Sequence, residues 1–231
     1  MARVNIKQAS VLFAMVIGLG IDGATASKAA VLTFDYVHIG SGANLDGTLT
    51  AVVKDVAANQ VEITMNSDMP NSGFVSSWAF NLVSTFTDYA NLSNDAGTVT
   101  GGATLPDTVD LGPANSYDIN GAAIGGFDIG FTWAGSNHGF DLVSSVTYVL
   151  TYSGSQTFNA ISFDALSAPG YSYGPFYSAA KVQGIDPGNK SGEVGNPNGP
   201  VVPEPSSIAL MGLGGVCALL RNRFRCRESS T

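Results

Sequence analysis

The central part of this 231-residue chain contains very little positive charge. Arginine is absent between Arg3 and Arg221, and residues 31–202 contain fifteen acidic residues against three lysines, which gives the segment a net charge of −12. Phosphate recognition draws its affinity from lysine and arginine, so this composition excludes nucleic-acid binding. An acidic surface instead keeps a domain soluble and attracts divalent cations.

Cysteine and histidine are equally scarce in this segment. Cys217 and Cys226 both lie near the C-terminus. Residues 31–202 therefore hold no disulfide and depend on a hydrophobic core, which about 170 residues are enough to build. His38 and His138 are widely separated, and no serine-hydrolase or zinc-protease motif accompanies them. We therefore expect no catalytic residues and no cofactor, with calcium as the one ion worth considering.

Apolar and polar residues alternate with a period of two, which is typical of half-buried strands. The clearest stretch puts four large side chains on one face of a strand: Phe127, Ile129, Phe131 and Trp133. Glycine-containing turns separate the stretches, and no internal helix is predicted. The pattern predicts an all-β domain at residues 31–185, an antiparallel β-sandwich of the jelly-roll type. Its strands are expected near residues 32–37, 48–56, 61–65, 78–82, 127–133, 146–152 and 157–165.

Residues 1–30 have the three parts of a secretory signal peptide. Arg3 and Lys7 provide the positive region, residues 9–21 are apolar, and Ala24 and Ala26 form the small-residue cleavage pattern. Cleavage by signal peptidase is expected after Ala26. A second pattern, ending at Ala29, leaves the mature start open between residues 27 and 31. The segment therefore predicts an N-terminal signal helix and export by a Sec-type route.

Residues 186–201 are rich in glycine, proline and asparagine and contain hardly any apolar side chain. Such a segment buries too little surface to offset the entropy lost on ordering. The composition therefore predicts a flexible linker between the sandwich and the C-terminal segment.

The C-terminal segment, residues 202–227, has three ordered features. Pro203, Glu204 and Pro205 come first, and their fixed dihedral angles prevent a helix from running through them. Residues 206–220 are uncharged and form a predicted hydrophobic helix of about 22 Å. Because a bilayer core is about 30 Å thick, this helix is short for a permanent span. Four arginines complete the segment: Arg221, Arg223, Arg225 and Arg227.

This order of features resembles the PEP-CTERM sorting signal of exported bacterial proteins. The resemblance implies recognition by an exosortase in the inner membrane, a transient membrane tether, cleavage near Pro203-Glu204-Pro205, and delivery to the cell surface or the extracellular matrix of a biofilm. A plain C-terminal membrane anchor is the alternative.

Two groups of residues in the central segment are candidates for ligand binding. Asp107, Asp110 and Asp118 lie in a long predicted loop at residues 101–125 and offer the hard oxygen ligands that calcium prefers. Tyr171, Tyr173 and Tyr177 form an aromatic stretch that can stack on sugars. Solvated turn acids and aromatic packing are the structural alternatives for the two groups.

Two functional hypotheses follow. The first is a non-catalytic surface or matrix protein that is adhesive or associated with exopolysaccharide. The second is a secreted carbohydrate-binding module or glycan-active enzyme that uses the loop acids and the aromatic stretch.

Overall fold

The computed structural model describes residues 30–39, 47–69, 73–119, 124–133, 140, 143–170, 172–185 and 190–201. The predicted signal helix before residue 30 and the predicted hydrophobic helix at residues 206–220 lie outside these ranges. Within the ranges, the helices are two short 3-10 turns, Tyr89–Asn91 and Ala160–Phe163. None of the helices described is long and apolar enough to cross a bilayer.

Fourteen strands make up most of the described chain. In chain order they are β1 (Val31–Asp35), β2 (Val37–Ile39), β3 (Thr48–Ala57), β4 (Gln60–Asp68), β5 (Phe74–Phe80), β6 (Leu92–Asn94), β7 (Thr98–Thr100), β8 (Thr108–Leu111), β9 (Tyr117–Asp118), β10 (Gly126–Phe127), β11 (Ile129–Thr132), β12 (Val143–Tyr152), β13 (Ser178–Ile185) and β14 (Lys190–Asn196).

These strands form two six-stranded antiparallel sheets and one small pair. The first sheet has the order β1-β3-β4-β12-β6, with β7 also paired to β12. The second sheet has the order β2-β14-β13-β5-β11-β8. Strands β9 and β10 pair only with each other in the described residues. The chain passes from one sheet to the other between β1 and β2, β4 and β5, β11 and β12, and β12 and β13.

One hydrophobic core lies between the two sheets. Its aromatic rings meet across the gap: Phe34 of β1 lies 5.9 Å from Phe80 of β5, and Phe131 of β11 lies 5.3 Å from Tyr148 of β12, between ring centroids. All four side chains belong to one buried cluster. Two antiparallel sheets that share a core form a β-sandwich, so the all-β antiparallel prediction is confirmed.

Tyr36 stands where the chain passes from the first sheet to the second, and its hydroxyl joins a buried network. The Trp78 Nε1–H donates to the Tyr36 hydroxyl at 2.6 Å. Tyr36 lies 2.6 Å from the Ser178 hydroxyl, which donates to the Ala79 carbonyl. Tyr36 therefore donates to Ser178, and each polar group in the chain has a partner.

The outer faces of the two sheets differ. The outer face of the first sheet is polar: the Thr64 and Thr147 hydroxyls are 3.1 Å apart, and Lys54 pairs with Glu62 at 2.7 Å. Glu62 thus points outward, as the alternation predicts.

The outer face of the second sheet is covered by loops. A row of small residues crosses four neighbouring strands of this sheet: Gly130, Ala79, Ala179 and Gly195. Ala79 and Ala179 share a second buried cluster with Ile119, Ile124, Phe127 and Phe176 of the covering loops. A Cβ at Gly130 would overlap the Tyr117 ring, and one at Gly195 would lie 2.7 Å from Cδ1 of Phe176. The small residues therefore make room for aromatic rings.

This second cluster corrects one prediction. Ile129, Phe131 and Trp133 belong to the core between the sheets, whereas Phe127 belongs to the cluster on the opposite side of the second sheet. The strict alternation breaks because β10, which carries Phe127, pairs with β9 and not with the second sheet.

The linker prediction for residues 186–201 is wrong for residues 190–196. These residues form β14, which lies between β13 and β2. The segment orders because its backbone pairs on both sides, Val194 is fully buried, and Gly195 fits beneath Phe176. The folded body therefore extends beyond the predicted boundary at residue 185.

The strand predicted at residues 157–165 is also wrong. Residues Ala160–Phe163 form a 3-10 turn, capped by Asn159, whose side chain accepts from the Ser162 N–H at 3.2 Å. A cap of this kind satisfies backbone donors that a strand partner would otherwise take.

Candidate functional site

A groove of about 550 Å³ lies among three loops that follow β5, β8 and the 3-10 turn at residues 160–163. Its walls combine hydroxyl and amide groups with apolar side chains. The polar lining residues are Ser84, Thr87, Tyr89, Asn115, Asp128 and Ser167, and the apolar ones are Leu82, Phe86, Pro113, Ala114, Ala165, Leu166 and Ala168.

Asp128, between β10 and β11, joins two of these loops. The residue is 5% exposed, and both of its carboxylate oxygens accept main-chain hydrogen bonds. The Leu82 N–H donates to Oδ2 at 2.8 Å, and the Asn115 N–H donates to Oδ1 at 2.7 Å. Hydrogen bonds to a charged acceptor are the strong ones, so Asp128 anchors two walls of the groove.

Tyr89 contributes a third hydrogen bond to this carboxylate. Burial raises the pKa of Tyr89 well above its ordinary value, and the charge of Asp128 and the hydrogen bond from the phenol raise that pKa further. The hydroxyl therefore remains protonated at neutral pH and donates to Asp128. The ring packs edge-on against Phe86 at 5.4 Å between centroids, which fixes this wall of the groove.

The loop at residues 112–115 needs two unusual backbone conformations. Gly112 has a φ of +82°, and a Cβ there would overlap the Tyr89 ring. Asn115 has a φ of +56°, in the left-handed region that asparagine tolerates. Its side-chain oxygen accepts from the Ala168 N–H at 3.3 Å, which ties this loop to the third wall.

The groove presents neutral polar and apolar groups rather than a catalytic pair. Among its described lining residues, Asp128 is the one carboxylate, and its oxygens are taken by main-chain donors. Glycoside hydrolysis requires two carboxyl groups that face each other across the substrate. A half-apolar groove with hydroxyl and amide groups instead suits the apolar faces and hydroxyls of a sugar.

The structure does not bring the predicted calcium ligands together. Asp110 lies within β8 of the second sheet, Asp118 lies within β9 of the separate pair, and Asp107 precedes β8. No group of three or more acidic, histidine or cysteine side chains in the described ranges is placed to hold a metal ion. The predicted loop at residues 101–125 thus contains two strands in its described part.

The predicted aromatic stretch is also divided. Tyr173 is exposed, whereas Tyr177 is half-buried and packs against the core between the sheets. The Tyr177 N–H donates to the Asn196 carbonyl at 3.0 Å, so this residue supports β14. Tyr171 lies outside the described residues.

Val201, the last described residue, pairs with β1. Its N–H donates to the Thr33 carbonyl at 2.8 Å, and its carbonyl accepts from the Thr33 N–H at 3.1 Å. Strand β1 is an edge of the first sheet, so this bridge extends that sheet by one residue.

The predicted processing residues lie outside the described residues. They comprise the signal-peptide residues Ala24 and Ala26 and the C-terminal residues Pro203, Glu204, Pro205, Arg221, Arg223, Arg225 and Arg227.

Three residues of the groove were not identified from the sequence: Tyr89, Asn115 and Asp128. The alternation assigns Asp128 to an outward position between Phe127 and Ile129, where a carboxylate is expected to be solvated. A usable signal was the position of this acid inside the most aromatic stretch of the chain.

Comparison with known protein families identifies the C-terminal segment. Residues 201–223 match the family model of the PEP-CTERM protein-sorting motif. The match includes the Pro203-Glu204-Pro205 tripeptide and the first two arginines of the cluster, so the predicted resemblance is confirmed. Searches of curated proteins and of solved structures give no match to this chain.

Proposed function

We propose that this chain, which carries a PEP-CTERM protein-sorting motif, is an exported, non-catalytic protein of the cell surface or extracellular matrix. The observation that carries the proposal is the motif itself, placed directly after an acidic β-sandwich. The motif implies export and processing by exosortase-type machinery. The N-terminal signal pattern supports a Sec-type route, and the short apolar stretch supports a transient inner-membrane tether.

Processing is tested with two variants of the full-length chain. Glu204→Ala and deletion of residues 221–227 should each leave an unprocessed, membrane-bound protein. Fractionation and intact-mass measurement would follow both forms, and Glu193→Ala serves as the control because that residue precedes the motif. Normal release of either variant would contradict processing through this motif.

A second candidate function is binding of a neutral polysaccharide in the groove. The groove combines exposed Leu166 with the polar groups of Thr87 and Ser167, and its volume of about 550 Å³ suits a few sugar units. Connections that cross between the sheets support the jelly-roll type of sandwich for this body. Retention in an exopolysaccharide matrix would follow from many weak contacts of this kind.

Glycan binding is tested with the protein released from cells on a panel of neutral and acidic oligosaccharides. Ala114→Trp should fill the groove and lower affinity at least about tenfold, which corresponds to about 1.4 kcal/mol. Ala96→Trp, in an exposed loop between β6 and β7, is the matched control. Release of reducing sugar by the released protein would instead support the enzyme alternative.

A further inference from the structure

The bridge between Val201 and Thr33 uses the free edge of β1. In an antiparallel ladder, the N–H and C=O of one residue point to the same side of the strand. Both groups of Thr33 bond to Val201, so they face away from β3. The segment at residues 197–201, here termed the sorting arm, thereby ends on the open edge of the first sheet.

The direction of the sorting arm brings it towards the start of the folded body. Because Val201 pairs antiparallel with Thr33, the chain runs from there towards the N-terminal end of β1. At that end, the Ala30 N–H donates to Asp55 Oδ2 at 2.9 Å, and the Ala30 carbonyl accepts from the Asp55 N–H at 3.1 Å. Both ends of the described body are thus held on the same strand.

The matched sorting motif begins at the bridged residue. The family match starts at Val201, and Pro203 follows two residues later. Enzymes that act on a peptide segment commonly hold it extended through its backbone groups. While Thr33 engages both backbone groups of Val201, those groups are unavailable to an enzyme, and cleavage then depends on the population of the open form.

We propose that the edge of β1 is a docking position for the sorting arm, and that exosortase-type cleavage requires the arm to leave this edge. The inference rests on the processing proposed above. The bridge consists of two backbone hydrogen bonds at an exposed edge, and Val201 is 61% exposed. A bridge of this size opens readily, so it slows processing without preventing it.

A reversible cross-link tests the proposal in the full chain. Residues 33 and 201 form a hydrogen-bonded antiparallel pair, whose Cα separation of about 5.5 Å is within the range of disulfides. Thr33→Cys and Val201→Cys would be combined with Cys217→Ser and Cys226→Ser, so that the introduced thiols are the only ones. In membranes that contain the processing enzyme, the oxidised chain should remain uncut and the reduced chain should be processed.

A cross-link elsewhere provides the matched control. Thr50→Cys with Asn66→Cys joins β3 and β4 on the outer face without touching the arm. This oxidised chain should be processed like its reduced form. Processing of the 33–201 cross-linked chain at the rate of its reduced form would overturn the proposal. If no form is cut near the motif, including the chain with Cys217→Ser and Cys226→Ser alone, the processing proposal fails, and the role of the arm fails with it.

Weakening the bridge should have the opposite effect. Thr33→Pro removes the N–H that bonds to Val201 and leaves the pairing of β1 with β3 intact, because that N–H faces away from β3. We expect processing to become up to roughly tenfold faster. Thr33→Val keeps the N–H and should match the unmodified rate. An unchanged rate for Thr33→Pro, with a melting temperature close to that of Thr33→Val, would count against the proposal.

Discussion

The two sheets of the sandwich bury their inner faces in one core but treat their outer faces differently. The first sheet exposes threonine, serine and charged side chains to solvent, and its long strands alternate regularly. The second sheet is covered on its outer face by loops whose aromatic rings rest on a row of small residues. The first sheet is therefore stabilised on one side and the second on both.

This difference explains where a binding groove can form. A sheet face that is already polar and flat presents no concave surface, whereas covering loops enclose space between them. The groove beside Asp128 is lined by residues of the loops that follow β5, β8 and the turn at residues 160–163. Loops that complete the second cluster therefore also build the candidate site.

Removal of β14 should have the largest effect and would break the comparison if it did not. A chain that ends after residue 185 loses the strand between β13 and β2, including buried Val194. We expect a loss of more than about 4 kcal/mol of unfolding free energy, measured by urea denaturation. A chain that ends after residue 201 is the control. Equal stability of the two would restore the flexible-linker interpretation.

A buried charge should distinguish the two outer faces directly. Ala79→Asp places a carboxylate in the covered cluster of the second sheet, where Ala79 is fully buried. The expected cost is about 3 kcal/mol or more, because an unpaired charge is desolvated. Val52→Asp, on the half-exposed outer face of the first sheet, should cost about 1 kcal/mol or less. Similar urea midpoints for both variants would contradict the two-sided burial.

A single methyl group should sharpen the role of the small residues. Gly195→Ala places a Cβ 2.7 Å from the Phe176 ring and should destabilise the protein by about 1–3 kcal/mol. Gly102→Ala meets no atom within 4 Å and should change stability by less than about 0.5 kcal/mol. Thermal unfolding of both variants checks the difference. A neutral Gly195→Ala would mean that Phe176 moves aside freely.

Alkaline pH should reveal the buried hydroxyl network between the sheets with the smallest effect. Burial raises the pKa of Tyr36 far above 10, despite opposing hydrogen bonds from Ser178 and Trp78. The unfolded tyrosine loses its proton near pH 10 while the folded one keeps it, so the stabilisation is complete below pH 10 and is lost as pH rises further. We expect a slope of about 1.4 kcal/mol per pH unit from this group. Tyr36→Phe should flatten the urea midpoint above pH 10, and an unchanged slope would contradict the network.

The regular strands could be predicted because side-chain burial alone determines their pattern. Val61, Ile63 and Met65 alternate with polar residues and are all fully buried. Strand β14 lacked this signal because it contributes one large apolar side chain, Val194, and otherwise buries backbone. Pairing on both sides, together with a glycine beneath an aromatic ring, ordered a segment whose composition is typical of linkers.

The candidate site was not predictable for a related reason. Tyr89, Asn115 and Asp128 are far apart in the chain and come together through loops that no periodicity describes. Asp128 occupies a position that alternation assigns to solvent, and only the covering loops bury it. By contrast, the sorting motif was identified because its signal is local: two prolines, an apolar stretch and arginines in a set order.

The bridge between Val201 and Thr33 also means that the chain of the body nearly closes on itself. Ala30 and Thr33 are three residues apart on β1, which spans about 10 Å. A linker of a few residues would therefore join position 201 to position 30 without disturbing any strand pair. Cutting the resulting ring at the exposed turn of Gly101 and Gly102 would give a circular permutant that retains both sheets, with its new ends between β7 and β8.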